Sequence, residues 1–219
     1  MVLPVTPARG AGLASRPALV VLAGGQGSRL GGIAKAALLR PAGGTLLSRL
    51  IEVLAPASSE ALLVAPPGMQ ARLEAPPFLE RLEDRGLGPA VALLMVAEAS
   101  RADWLLAVGG DHPLPSASLV ARLDAAAART PEAAAVGVAS AGRLAIEPLF
   151  ALYRRAALLA CREAAPRSFG ALLALLAPVV ALPRDGLDPE ELDALLDVDT
   201  PEDAARHGLG APIPPGALA

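Results

Sequence analysis

The chain has 219 residues, 53% hydrophobic and only 2% aromatic; this excludes a disordered polymer and leaves one folded domain whose core Ala, Leu and Val must fill. A formal net charge of −3 excludes the basic surface of a general nucleic-acid binder, although a local basic loop can still hold a small anion. One cysteine, Cys161, excludes an internal disulfide, and two distant histidines without a paired-cysteine motif argue against a zinc site.

Residues 1–17 include Pro4, Pro7, Arg9, Gly10, Arg16 and Pro17, lack the charged-then-apolar order of a signal peptide, and read as a loose N-terminal tail. The single cysteine fits a reducing cytoplasm, the expected location, and no apolar run reaches membrane-spanning length. Residues 18–22 form an apolar run of strand length that ends in a glycine-rich loop over 23–44. Thr45 is the expected N-cap of a helix over 46–54, with Leu46, Leu47, Leu50 and Leu54 on one face. Strands are expected at 61–65, stopped by Pro66-Pro67, and at 78–82, ending in Glu83-Asp84.

After a loop over 85–88, Pro89 suits the first turn of a helix over 90–99. A buried strand over 104–108 ends in Gly109-Gly110-Asp111, followed by a helix over 116–128 and a strand over 133–139. Residues 144–153 read as neither helix nor strand unambiguously; 156–164 and 168–177 read as helices, 179–182 as a strand, and 195–198 as a further short strand. Thr200-Pro201-Glu202-Asp203 has the order of a helix start: Thr as N-cap, Pro at the first position, acids in the first turn. Residues 208–219, with three prolines, read as a C-terminal tail. Alternating strands and helices over 18–207 predict a single three-layer α/β/α, Rossmann-like domain with a mostly parallel sheet. In such sheets ligands bind beyond the carboxyl ends of the strands, where the glycine loop and Asp111 both follow a strand.

The loop reads Leu22-Ala23-Gly24-Gly25-Gln26-Gly27-Ser28-Arg29-Leu30-Gly31-Gly32-Ile33-Ala34-Lys35. Glycines let backbone N–H groups approach an anion, and Arg29 and Lys35 add full charges. It is not a Walker A loop, because Ala36 follows Lys35 where Ser or Thr would stand, and Leu30 breaks the dinucleotide pattern. The string resembles the signature of nucleotidyltransferases of the nucleotide-diphospho-sugar transferase fold, and among them most resembles the molybdenum cofactor guanylyltransferases. Matching segments are Leu22-Ala23-Gly24-Gly25, Arg29-Leu30-Gly31-Gly32 and Lys35; Asp111-His112-Pro113; Asp84 before Gly88-Pro89; Glu147-Pro148-Leu149; and Asp197-Val198-Asp199-Thr200-Pro201-Glu202. Two positions depart. Ala34 stands where the family usually has Asp, and Ala65 where guanylyl members carry Asn; the Asp-Val-Asp form is closer to cytidylyl relatives.

The resemblance implies magnesium-dependent transfer of GMP from GTP to molybdopterin, with release of pyrophosphate. It implies Lys35, Arg29 and Asp111 as catalytic residues, and Leu22, Ala23, Gly24, Gly25, Gly27, Lys35, Asp84 and Asp111 as nucleotide contacts. Asp111 and Asp199 are the implied Mg²⁺ ligands, and His112 reads as a loop residue. CTP in place of GTP is the nearest alternative, followed by a sugar-phosphate nucleotidyltransferase and a non-catalytic nucleotide-binding homologue. The expected partners are small-molecule substrates, with no nucleic acid and no membrane, and the protein is expected as a monomer or weak homo-oligomer.

Overall fold

A computed structural model describes residues 2–4, 12–24, 33–70 and 72–211. Eight strands form one sheet: β1 (Val2–Pro4), β2 (Ala18–Leu22), β3 (Glu60–Ala65), β4 (Glu80–Glu83), β5 (Trp104–Gly109), β6 (Ala135–Val138), β7 (Ala151–Arg154) and β8 (Val179–Leu182). Their spatial order is β1-β8-β6-β7-β5-β2-β3-β4. Every pairing is parallel except those of β7, which runs antiparallel to both β5 and β6. The expected mostly parallel α/β/α architecture is therefore the one observed.

Strand alternation sends successive side chains to opposite faces, and both faces are buried. Leu19, Val21, Trp104, Leu106 and Val108 join one core cluster, and Ala18, Val20, Leu105 and Ala107 join the other. Helices α1 (Leu46–Leu54) and α4 (Ala117–Arg129) cover the first face; α3 (Pro89–Ala99), α5 (Arg155–Ala160) and α6 (Phe169–Leu175) cover the second. Thr45 caps α1 as expected, in a reciprocal box with Ser48, and Ser116 caps α4. Among the described residues, three further short helices are α2 (Pro67–Gln70), α7 (Pro189–Asp193) and α8 (Pro201–Arg206). Among the described residues, no helix is long and apolar enough to cross a membrane.

Several expectations need correction. Part of the N-terminal stretch is not a loose tail, because Val2–Pro4 adds an edge strand beside β8. Likewise Gly210 exchanges two backbone hydrogen bonds with Leu39, so the C-terminal stretch is tied down at its start. No strand forms at 195–198. Leu195 and Leu196 N–H groups close turns onto Leu192 and Asp193, and Val198 reaches another loop instead of a sheet edge. The ambiguous stretch over 144–153 ends in β7.

Candidate active site

After β2 the chain passes to β3 and β4 on one side, then crosses to β5 on the other. The β2–β5 boundary is therefore a topological switch point, where open α/β sheets form their ligand crevice. Strands β5, β2, β3 and β4 finish nearly level: Leu22 pairs with both Val64 and Gly109, and Ala65 pairs with Glu83. The segments leaving these strands share one edge of the molecule.

Lys35 enters this edge from a short 3-10 turn, Lys35–Ala37, which is held by burial of Ala36 and Ala37. The Gly110 N–H donates to the Leu22 carbonyl at 2.9 Å, joining the two loops. A Cβ on Gly110 would lie 3.1 Å from the Cβ atoms of both Ala23 and Ala36, so any larger residue would push the three segments apart by a few tenths of an ångström. Leu22, Ala23, Lys35, Ala36, Gly110 and Asp111 line the resulting small cleft.

Inside it, Lys35 Nζ lies 3.0 Å from Asp111 Oδ2 and 2.5 Å from Asp199 Oδ1. Asp199 arrives from far along the chain, directly before α8. The Asp203 carboxylate accepts from the N–H groups of Thr200 at 3.0 Å and Asp199 at 3.3 Å, and from the Thr200 hydroxyl at 2.8 Å. The helix cap thus also fixes the backbone that carries Asp199. The Val198 N–H donates to the Asp111 carbonyl at 3.1 Å. Oxygens of Asp111, Asp197 and Asp199 come within 4.8 Å of one another.

Three carboxylates around one ammonium set the local electrostatics. Burial pulls Lys35 down, but the hydrogen bond to Asp199 and the charge and hydrogen bond of Asp111 outweigh it, leaving Lys35 above its ordinary pKa. Lys35 therefore stays charged at neutral pH. Asp197, the most exposed of the three acids, has its carboxyl raised by desolvation and then by the neighbouring charges of Asp199 and Asp111, with His112 and Lys35 opposing. The Asp203 carboxyl is lowered by its hydrogen bonds from Thr200. Hard oxygen donors in such a cluster suit a magnesium-type cation.

Asp84 lies on the β3–β4 side of the same edge. Its N–H donates to the Ala65 carbonyl at 3.0 Å, and its Oδ1 accepts from the Gly86 N–H at 2.8 Å. A Cβ on Gly24 would fall 2.0 Å from Asp84 Oδ2, so the carboxylate occupies the space over the first residues of the glycine loop. Gln70 Nε2 donates to the Ala65 and Leu82 carbonyls at 2.8 and 2.7 Å, tying the ends of β3 and β4 together. Ala65 is fully buried and brings no polar side chain to the edge.

Of the residues singled out in the sequence, Leu22, Ala23, Gly24, Lys35, Asp84, Asp111 and Asp199 all reach this edge. Gly25, Gly27 and Arg29 lie outside the described residues. Asp197, expected from the resemblance to offer with Asp199 a second metal or substrate contact, joins Asp111 and Asp199. A larger cavity, ≈ 400 Å³, sits at the opposite end of the sheet against Trp104 and Arg154, away from these acids.

The similarities of the chain follow the same lines. It resembles the crystal structure of molybdopterin-guanine dinucleotide biosynthesis protein A from Archaeoglobus fulgidus, with 21% identity, a TM-score of 0.67 and coverage of 87% of this chain and 96% of that one. The crystal structure of Rv0371c from Mycobacterium tuberculosis H37Rv is 24% identical, with a TM-score of 0.63 over 89% of this chain and 97% of that one. The crystal structure of 2-C-methyl-D-erythritol 4-phosphate cytidylyltransferase from Thermus thermophilus is 20% identical, with a TM-score of 0.61 over 88% of this chain and 97% of that one. No curated protein sequence matches the chain. Residues 19–179 match the family described as the MobA-like NTP transferase domain, and the chain belongs to that family.

Proposed function

We propose that the β2–β5 edge is the catalytic centre of a magnesium-dependent nucleotidyltransferase that moves a nucleoside monophosphate from its triphosphate to molybdopterin. The observation that carries this reading is Lys35 set between Asp111 and Asp199, at the carboxyl end of a sheet whose family transfers nucleotides. A phosphate oxygen of the acceptor attacks the α-phosphorus, a new P–O bond forms, the bond from the α-phosphorus to its bridging oxygen breaks, and pyrophosphate leaves. The acceptor phosphate is already ionised at neutral pH, so the reaction asks for no general base. Its barrier is the approach of two anions.

The charged groups of the chain answer that barrier. Lys35, held cationic by two carboxylates, can turn its ammonium toward charge that accumulates on the leaving pyrophosphate. Arg29 adds a second charge from the loop, and the loop N–H groups, including those of Gly25 and Gly27, orient the triphosphate. Asp84, over Gly24, is placed to meet the sugar or base of the nucleotide. Asp111 and Asp199, with Asp197 beside them, are the residues that would hold Mg²⁺. When bound, the metal screens phosphate charge and aligns phosphate oxygens for in-line displacement.

GTP is the first candidate nucleotide, on the likeness to the guanine dinucleotide protein. CTP is the second reading, favoured by Ala65, which leaves no side-chain amide at the place where the guanylyl pattern has Asn. The test is pyrophosphate release from GTP and CTP separately, with Mg²⁺ and molybdopterin, by the wild-type protein and by Asp111→Asn. The proposal expects release with one nucleotide and a loss of about 10²–10³ in Asp111→Asn, the usual cost of removing a preorganised electrostatic contact. Release from neither nucleotide, or wild-type turnover in the variant, overturns it.

A further inference from the structure

We infer that His112 is the positioning residue that holds the segment carrying Asp197 and Asp199 against Asp111. The acidic cluster is assembled from two distant parts of the chain, and the described contacts between them are few. The Val198 N–H reaches the Asp111 carbonyl at 3.1 Å. Beside it, His112 Nδ1 lies 2.9 Å from the carbonyl oxygen of Ala194. A carbonyl only accepts, so Nδ1 carries the proton and donates. These two bonds bracket the stretch from Ala194 to Val198, and Asp197 lies between their anchor points.

The ring that makes this bond is itself fixed. His112 is 3% exposed, and the Phe150 ring meets it edge-on, centroids 6.0 Å apart and planes at 64°. Phe150 is fully buried and sits at φ 79°, a left-handed conformation that a phenylalanine adopts only under constraint from its surroundings. The Phe150 N–H donates to the Ala107 carbonyl within β5, so the same strand that delivers Asp111 also fixes the ring packed on its neighbour. Ala194 is fully buried at the other end of the bond. Since residues 195–198 make no strand pairing, the sheet supplies no register for the Asp-Val-Asp run; the Asp203 cap holds its far end, and the His112 bond to Ala194 and the Val198 bond to Asp111 seat its approach to Asp111.

Outer residues that orient ligand-bearing segments typically change metal affinity or activity by about 10–100-fold when removed. The functional arm of this inference rests on the reading of the acidic edge as the nucleotidyl-transfer site; the structural arm does not. Two substitutions separate the roles. His112→Asn keeps a planar N–H donor close to the place of Nδ1, and His112→Leu keeps bulk without a donor.

The first measurement is hydrogen–deuterium exchange of the full chain without metal, read at residues 195–199. His112→Leu is expected to exchange about 10-fold faster there, the effect on local opening of losing about one net hydrogen bond, and His112→Asn near wild type, while the core strand β5 keeps its protection in both. The second is pyrophosphate release. His112→Leu should lower kcat by about 10-fold with nucleotide KM within about twofold of wild type, and His112→Asn should recover most of the loss. Unchanged exchange in a folded His112→Leu, or failure of His112→Asn to protect the segment, overturns the inference. If His112→Leu does not fold, His112→Ala with and without added imidazole takes its place. Rescue of protection by imidazole supports the anchor, and wild-type protection without imidazole overturns it. If the wild-type protein releases no pyrophosphate with any nucleotide, the proposed reaction fails, yet the exchange measurement still decides whether His112 anchors the segment.

Discussion

Replacing Lys35 by Met keeps the length of the side chain and removes its charge. At an effective dielectric of about 20, an ammonium 3.0 Å from the Asp111 oxygen gains about 5.5 kcal/mol of Coulomb energy, and two carboxylate oxygens within 4.8 Å of each other lose at least about 3.5 kcal/mol. Most of that gross energy is offset by desolvation of the ions, and the Asp199 contact is discounted further because that side chain is 49% exposed. A net destabilisation of about 1–3 kcal/mol without metal is expected, which for a domain of this size lowers Tm by about 2–12 °C. With the ammonium gone, three acids face one another uncompensated, so Mg²⁺ should raise Tm more in Lys35→Met than in wild type. Turnover, followed as pyrophosphate release, should fall by about 10²–10³ even where Mg²⁺ has restored the fold. A variant with wild-type Tm in metal-free buffer would refute the electrostatic argument, and one with near wild-type turnover would refute the catalytic one.

Other substitutions read other parts of the edge. Gly24→Ala would drive a methyl to within 2.0 Å of Asp84 Oδ2, an atom at the end of a side chain that can swing away; Tm should change little, while nucleotide KM rises through displacement of the carboxylate. An unchanged KM would remove Asp84 from the nucleotide site. Gly88→Ala should cost about 2 kcal/mol or more in denaturant unfolding, because Gly88 sits at φ 109° and its Cβ would meet the Arg167 carbonyl oxygen, a backbone atom, at 2.2 Å. A neutral result would show that the start of α3 can move. Asp124 accepts the Leu13 N–H at 3.1 Å, and burial raises its carboxyl above the ordinary value of 3.8. With the folded pKa above the unfolded one, the unfolded chain binds fewer protons between the two, so stability falls as pH rises through that interval. Asp124→Asn should therefore be the more stable protein at pH 7, and its advantage should vanish below the ordinary carboxylate pKa; an advantage that grows on acidification would contradict the sign.

Sheet elements were legible wherever burial on both faces produced an uninterrupted apolar run, as in β2, β3, β5 and β8. β4 is an edge strand with mostly exposed side chains, and its apolar signal placed it two residues too early. The same apolar logic misplaced a strand at 195–198, where Val198 is buried in a small cluster with Leu38, Leu46 and Ala204 and not in a sheet. Helix α7 carried a readable signal, Asp188 capping with Glu191 three residues on, that periodicity over so short a stretch could not supply. At the site, Lys35, Asp111 and Asp199 were individually legible because each closes a motif. Their meeting was not, since the contacts span 76 and 164 residues. His112 gave no signal at all: its role lies in a carbonyl 82 residues away, and a backbone acceptor leaves no mark in side-chain identity.

Nucleotidyl transfer at the Lys35–Asp111–Asp199 edge would be seen in the fate of the α-phosphorus. The wild-type protein would be incubated with Mg²⁺, molybdopterin and GTP or CTP labelled at either the α- or the γ-phosphorus. The α label is expected to enter the acceptor and the γ label to leave in pyrophosphate. An α label that stays in free nucleotide while the γ label leaves as inorganic phosphate would contradict it.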